Sequence, residues 1–170
     1  AEVFTSMMTT INNDNKCAVI GASVINPGGI YVPAFSAWKI PTRKDFVLSR
    51  SLFFFFSFAG IQKWKLYSER VAEVECVAGC FYIASVNLLS KLGFLDEDIF
   101  MYNEEILLGY KVRKNGYHEL LQLDQFYYHN HEKKPSPTLK NFISGRKLRF
   151  QSDVTLYKKI YSGGAGLALM

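Results

Sequence analysis

At 170 residues, 49% hydrophobic and 21% charged, the chain has the length and composition of one folded domain with a sizeable core, which excludes intrinsic disorder. Twenty Lys and Arg against fifteen Asp and Glu give a formal charge of +5, a balance suited to an anionic lipid surface or a phosphate-bearing substrate. No basic run interleaved with aromatics marks a nucleic-acid groove; the densest positive stretch, Gly145-Arg146-Lys147-Leu148-Arg149, reads as the solvated face of a helix, so nucleic acid is not an expected partner.

In chain order, Val3, Met7, Met8 and Ile11 recur at helical spacing and predict a short surface helix over residues 2–11, stopped by the turn cluster Asn12-Asn13-Asp14-Asn15. "CAVIGASVI", from Cys17 to Ile25, is a continuous apolar run rich in β-branched residues and predicts a buried strand, closed by the tight turn Asn26-Pro27-Gly28-Gly29. "LFFFFSFAGI", residues 52–61, is the most hydrophobic stretch. About ten residues cannot cross a bilayer that needs about twenty, so the run reads as core or as a lipid-facing patch.

"VAEVECVAGCFYIASV", residues 71–86, begins with alternation and turns wholly apolar, predicting a strand entering the core. Asn87 then reads as the N-cap of a two-turn helix closed by Gly93. After an acidic turn, Asn103 reads as the N-cap of a longer helix with Glu104 and Glu105 in its first turn and Gly116 at its end. "YHELLQL" and "QFYYHNHE" are two short strand candidates. Beyond Pro135 and Pro137 the chain becomes polar and helical, with Ser152 a plausible N-cap of the segment "SDVTLYKKIY". Strands alternating with helices predict an α/β fold. Neither G-x-x-x-x-G-K nor G-x-G-x-x-G occurs, so no complete nucleotide site of those forms is encoded.

Cys17, Cys76 and Cys80 are odd in number and lack C-x-x-C spacing, which argues against a disulfide framework or a zinc site and for a reducing, cytoplasmic setting.

First-turn acidic residues complement a helix dipole and occur in countless helices that catalyse nothing. Adjacent helical side chains point about 100° apart, so only one of Glu104 and Glu105 can face a cleft. A carboxylate held ionised there can serve as a general base toward a hydroxyl. Both readings stand on the residues alone.

The wider order is more specific: Gly79-Cys80, Gly93-Phe94, Asp96-Glu97, Phe100-Met101-Tyr102-Asn103-Glu104-Glu105, Gly116 and His129. It resembles the acceptor-side half of family 2 glycosyltransferases, whose pattern runs small pair, Gly-aromatic, acidic turn, F-x-Y-x-E-D/E, helix, Gly and a strand ending in His. The first seventy or so residues match only loosely, through the helix, strand and "NPGG" turn order. The resemblance implies a partial GT-A-type mixed sheet flanked by helices, spanning 1–134, with a helical C-terminal extension over 135–170. It implies Glu105 as catalytic base of an inverting displacement with Glu104 capping, pairing or orienting the acceptor, Gly79 and Cys80 at the cofactor-binding position, and His129 as a metal or diphosphate ligand. A lone His on an apolar strand is also commonly a hydrogen-bonded core residue, and His131 reads as solvent-facing. Leu107 stands where an aspartate often follows and Lys111 where an arginine often stands, departures that bear on the salt bridge expected along this helix.

The family holds Mn²⁺ or Mg²⁺ through an Asp-x-Asp at an upstream strand end, where the metal neutralises the leaving group. The literal Asp96-Glu97-Asp98 occupies the acidic-turn position instead. The expectation is therefore a C-terminal portion beginning just after the metal motif, inactive alone, with one sheet edge exposed or paired with a second copy in a homodimer. Expected partners are a nucleotide-sugar donor, a glycan or lipid-linked acceptor, and a peripheral contact at the inner face of the membrane. A non-catalytic glycan- or lipid-binding module, and a membrane-surface protein using the Phe-rich run and the positive charge, are the competing readings.

Overall fold

A computed structural model describes residues 2–26, 28–31, 33–46, 65–99, 101–129 and 138–161. The Phe-rich run 52–61, Phe100, His131, the prolines at 135 and 137 and the residues after 161 lie outside the described residues.

The elements, in chain order, are α1 (Glu2–Asn12), β1 (Cys17–Ile25), α2 (Pro33–Ser36), β2 (Ala37–Trp38), β3 (Lys65–Ser68), β4 (Val71–Val74), β5 (Cys76–Val77), β6 (Tyr82–Ala84), α3 (Val86–Lys91), α4 (Glu104–Lys114), β7 (His118–Tyr128) and α5 (Leu139–Tyr161). They form a mixed α/β architecture, with a five-stranded sheet in the order β3-β4-β7-β1-β6 and a separate β2-β5 pair. The central β1 and β7 run parallel; β6 and β4 join them antiparallel on either side. No helix among the described residues is long and apolar enough to cross a membrane.

The predicted strand at Cys17–Ile25 is present and buried along almost its whole length, as a central strand with both faces covered must be. Leu120 and Leu121, adjacent on β7, enter two different cores because successive side chains of a strand point to opposite faces. On one face Met7 and Ile11 of the predicted first helix pack with Cys17, Ile20 and Leu120. On the other, Leu88 and Leu92 from the α3 region and Leu108 and Val112 of α4 pack on Val19, Val74 and Leu121. A third cluster, Phe46, Ile99, Leu107 and Leu156, joins α4 to α5. Leu107, where the resemblance would lead one to expect an aspartate, is thus a core residue.

Four expectations need correction. Residues 71–86 form three short strands: the chain leaves the main sheet after Val74, pairs Cys76 and Val77 with β2, turns at Gly79-Cys80 and returns as β6. An apolar run without alternation carries no information on where the chain changes sheets. The N-cap of α3 is Ser85, whose hydroxyl accepts from the Leu88 N–H at 3.4 Å, and not Asn87.

The two short strands after Gly116 are one, because a bulge absorbs the break: Ala22 pairs with Gln122 but Ser23 with Phe126, leaving Leu123, Asp124 and Gln125 out of register. Finally, α5 is continuous, and Ser152 lies inside it. The Ser152 hydroxyl is buried and donates to the Tyr102 carbonyl at 2.5 Å, so it joins two elements and caps neither.

Candidate active site

Helix α4 sets the site. Gly109 brings it close to β5: a Cβ at 109 would strike the Glu75 carbonyl and lie 3.3 Å from the Cys76 Cβ. This approach carries the N-terminal turn of α4 onto the Gly79-Cys80 turn. Asn103 occupies the N-cap position, but with left-handed backbone (φ 66°) and no capping side chain. Its amide nitrogen instead donates to Ser152 Oγ at 3.0 Å and Asp153 Oδ1 at 2.8 Å, fixing the head of α4 to α5.

The Glu105 carboxylate takes over the cap, accepting its own N–H and that of Gly79. These are free donors of a helix start and of a turn, which a carboxylate satisfies well. Burial is the main influence on Glu105 and lifts its carboxyl above the usual value; the neighbouring Glu104 adds to the rise and the two N–H donors oppose it. The division of labour expected between the two glutamates is reversed in one respect. Glu105 does the capping, while Glu104 turns an oxygen, Oε2, into a buried position without a hydrogen-bond partner.

More carboxylates converge than the sequence indicated. Glu119 on β7 is fully buried; Oε2 accepts from the Val77 N–H at 2.8 Å and Oε1 has no partner. Burial pushes Glu119 up to about 8; the Val77 N–H and the Arg113 charge oppose this and Glu105 adds to it. Glu119 is therefore chiefly the neutral acid at pH 7. The Cys76 thiol is raised first by burial and then by Glu119, Glu105, Glu75 and Glu104. The Tyr82 phenol is raised by burial and then by Glu105, Glu119 and Glu104. Both sense the same cluster of carboxyl groups beneath the head of α4.

Cys80 and His129 also meet. Cys80 is exposed, and its sulfur lies 3.7 Å from His129 Nε2. Tyr127 stands beside them, its ring 6.5 Å from that of His129; burial and then Cys80 hold its phenol well above the usual range. Glu105 and His129, both distant in the chain from the Gly79-Cys80 turn, thus each meet it, Glu105 at Gly79 and His129 at Cys80.

Asp96 and Asp98 are committed elsewhere. Lys159 approaches Asp96 at 2.7 Å and Asp98 at 2.6 Å, and Lys111 approaches Asp96 at 3.5 Å. Although burial alone would raise it, Asp96 is held below the usual carboxylate range, chiefly by Lys159. The Asp-x-Asp is an ion-pair node tying the acidic turn to α4 and α5, with Lys111 and Lys159 as its cations. Among the described residues no group of three or more His, Cys, Asp and Glu side chains is arranged to hold a metal. The resemblance places the metal's Asp-x-Asp at an upstream strand end, so these residues bear on that expectation only through His129.

Sequence reasoning missed Glu119 and Gly109. A glutamate inside "HELLQL" is the one available signal for the first; nothing in the local pattern marks the second. No protein-family model matches the chain, and no curated protein is significantly similar to it.

Proposed function

We propose that this chain carries the acceptor-side half of a nucleotide-sugar glycosyltransferase, with Glu105 as general base. The observation supporting this reading is the Gly79–Glu105 contact, in which the Gly79 N–H donates to the carboxylate. Two positions that the family pattern assigns to one site, separated by the whole of β6 and α3, meet here.

In the proposed reaction Glu105 accepts the proton of an acceptor hydroxyl. The oxygen attacks the anomeric carbon in line, and the bond to the nucleoside diphosphate breaks with its electron pair leaving on the phosphate oxygen. Two N–H donors orient the carboxylate, and burial makes it a stronger base than an exposed glutamate. The neighbouring Glu104 raises that carboxyl further and so favours proton uptake by Glu105. The acceptor is a glycan or a lipid-linked sugar, and the donor a nucleotide sugar. Mn²⁺ or Mg²⁺ belongs to the proposal for the full-length enzyme, with no ligand assigned among the described residues and no step derived through it.

The test is donor-dependent transfer by the full-length protein, followed as nucleoside diphosphate release across a panel of nucleotide sugars. Release with inversion at the anomeric carbon, read by NMR of the product, is expected. Retention of configuration, or no release with any donor, would overturn the reading.

A further inference from the structure

Helix α5 consists of two unlike halves. Its buried residues are Ser152 and Leu156, and its C-terminal half packs through Leu156, Tyr157 and Ile160 against α4. The N-terminal half, residues 139–151, contributes no buried residue. It carries exposed Leu139, Phe142, Ile143 and Phe150, with relative exposures of 74%, 49%, 57% and 47%. Within the same stretch lie Lys140, Arg146, Lys147 and Arg149 and no acidic residue.

At 3.6 residues per turn, Leu139, Ile143 and Phe150 fall on one line, roughly 140° around the helix from Ser152 and Leu156. Lys140 and Lys147 flank that line on one side. On the other lie Arg146, whose guanidinium sits 5.2 Å from the centre of the Phe142 ring, and Arg149, which stacks on Tyr102 at the junction with the body. An apolar stripe bordered on both sides by cations, on the face turned from the protein, suits the boundary between headgroups and acyl chains. A nucleic-acid groove would favour polar and stacking residues between the cations; Leu139 and Ile143 supply neither. A second copy of the chain would bring four like charges against four.

We propose that residues 139–151 are a membrane-docking surface for anionic lipid, with the apolar stripe inserted and Lys140, Arg146 and Lys147 at the headgroups. This assigns the membrane contact to α5 and does not depend on the transferase reading.

The experiment is co-sedimentation of the whole chain with vesicles of neutral phosphatidylcholine alone or with about one-third anionic phosphatidylglycerol. Expected is binding to the anionic vesicles at least about tenfold tighter than to neutral ones, falling with added salt. The pairs Leu139→Ser with Ile143→Ser, and Lys140→Glu with Lys147→Glu, should each weaken it more than about tenfold. All four positions are exposed, and an unchanged melting temperature checks that the variants fold. No binding to anionic vesicles, or binding that either pair leaves intact, overturns the proposal. So does concentration-dependent dimerisation abolished by the apolar pair without vesicles, or binding to a single-stranded oligonucleotide with the same residue dependence.

Discussion

The Gly79 N–H donates to the Glu105 carboxylate across a space closed to any side chain: a methyl group at 79 would lie within 2.8 Å of both Cδ and Cγ of Glu105. What it meets is the end of a flexible side chain, so the carboxylate and not the backbone should yield. Gly79→Ala is therefore expected to keep the fold, with a melting temperature within a few degrees of the parent, while turnover in the full-length protein falls about 100-fold, as a misplacement near 1 Å can cause. Thermal melts and steady-state transfer assays on the same preparation check both halves. Full activity would mean that the contact does not position the base.

The buried Glu119 gives a pH signature. Folded, it keeps its proton up to about pH 8; unfolded, only to near its ordinary value of 4.5. Between those values the folded state binds the extra proton, so this group's contribution is full below about pH 4.5 and is lost as pH rises toward 8. The slope at full effect is about 1.4 kcal/mol per pH unit. Glu119→Gln, which retains an acceptor for the Val77 N–H, should remove that slope in urea titrations run from pH 5 to 8. An unchanged slope would place the pH dependence elsewhere.

Much of this arrangement was legible because it follows from local periodicity. The α1 face of Met7 and Ile11 and the buried β1 come directly from apolar spacing, and α4 from two acidic residues and a closing glycine. What the sequence hid depends on tertiary partners. Glu75, Gly79 and Cys80 sit in a run whose hydrophobicity suits one strand, yet the chain turns there because Val77 must reach the Glu119 carboxylate and Cys76 must meet Gly109. Asn103 has the composition of a helix cap, but Ser152 and Asp153 offer its side chain better partners, and Glu105 caps in its stead. The contact of Glu105 with Gly79 was not legible, since no local rule links a turn to a helix start so far along the chain; the resemblance gave each a role but did not pair them.

Gly109 is the structural counterpart of Gly79. A Cβ there would meet the Glu75 backbone carbonyl, which cannot swing aside, so α4 would have to lift from β5. Gly109→Ala should cost about 1–3 kcal/mol or more despite alanine's better helix propensity, measured by denaturant unfolding. A neutral or stabilising outcome would show that the helix approaches β5 less closely.

The central claim, that Glu105 is a base and not only a cap, is tested most directly by steady-state transfer in the full-length protein carrying Glu105→Gln, with donor binding measured alongside. Glutamine preserves the size and the acceptor for the Gly79 N–H but takes no proton. The account predicts turnover reduced by about 100- to 10,000-fold with donor affinity retained, and loss of the acid limb along which the parent's kcat/KM rises as Glu105 ionises. Turnover within a few-fold of the parent would contradict it.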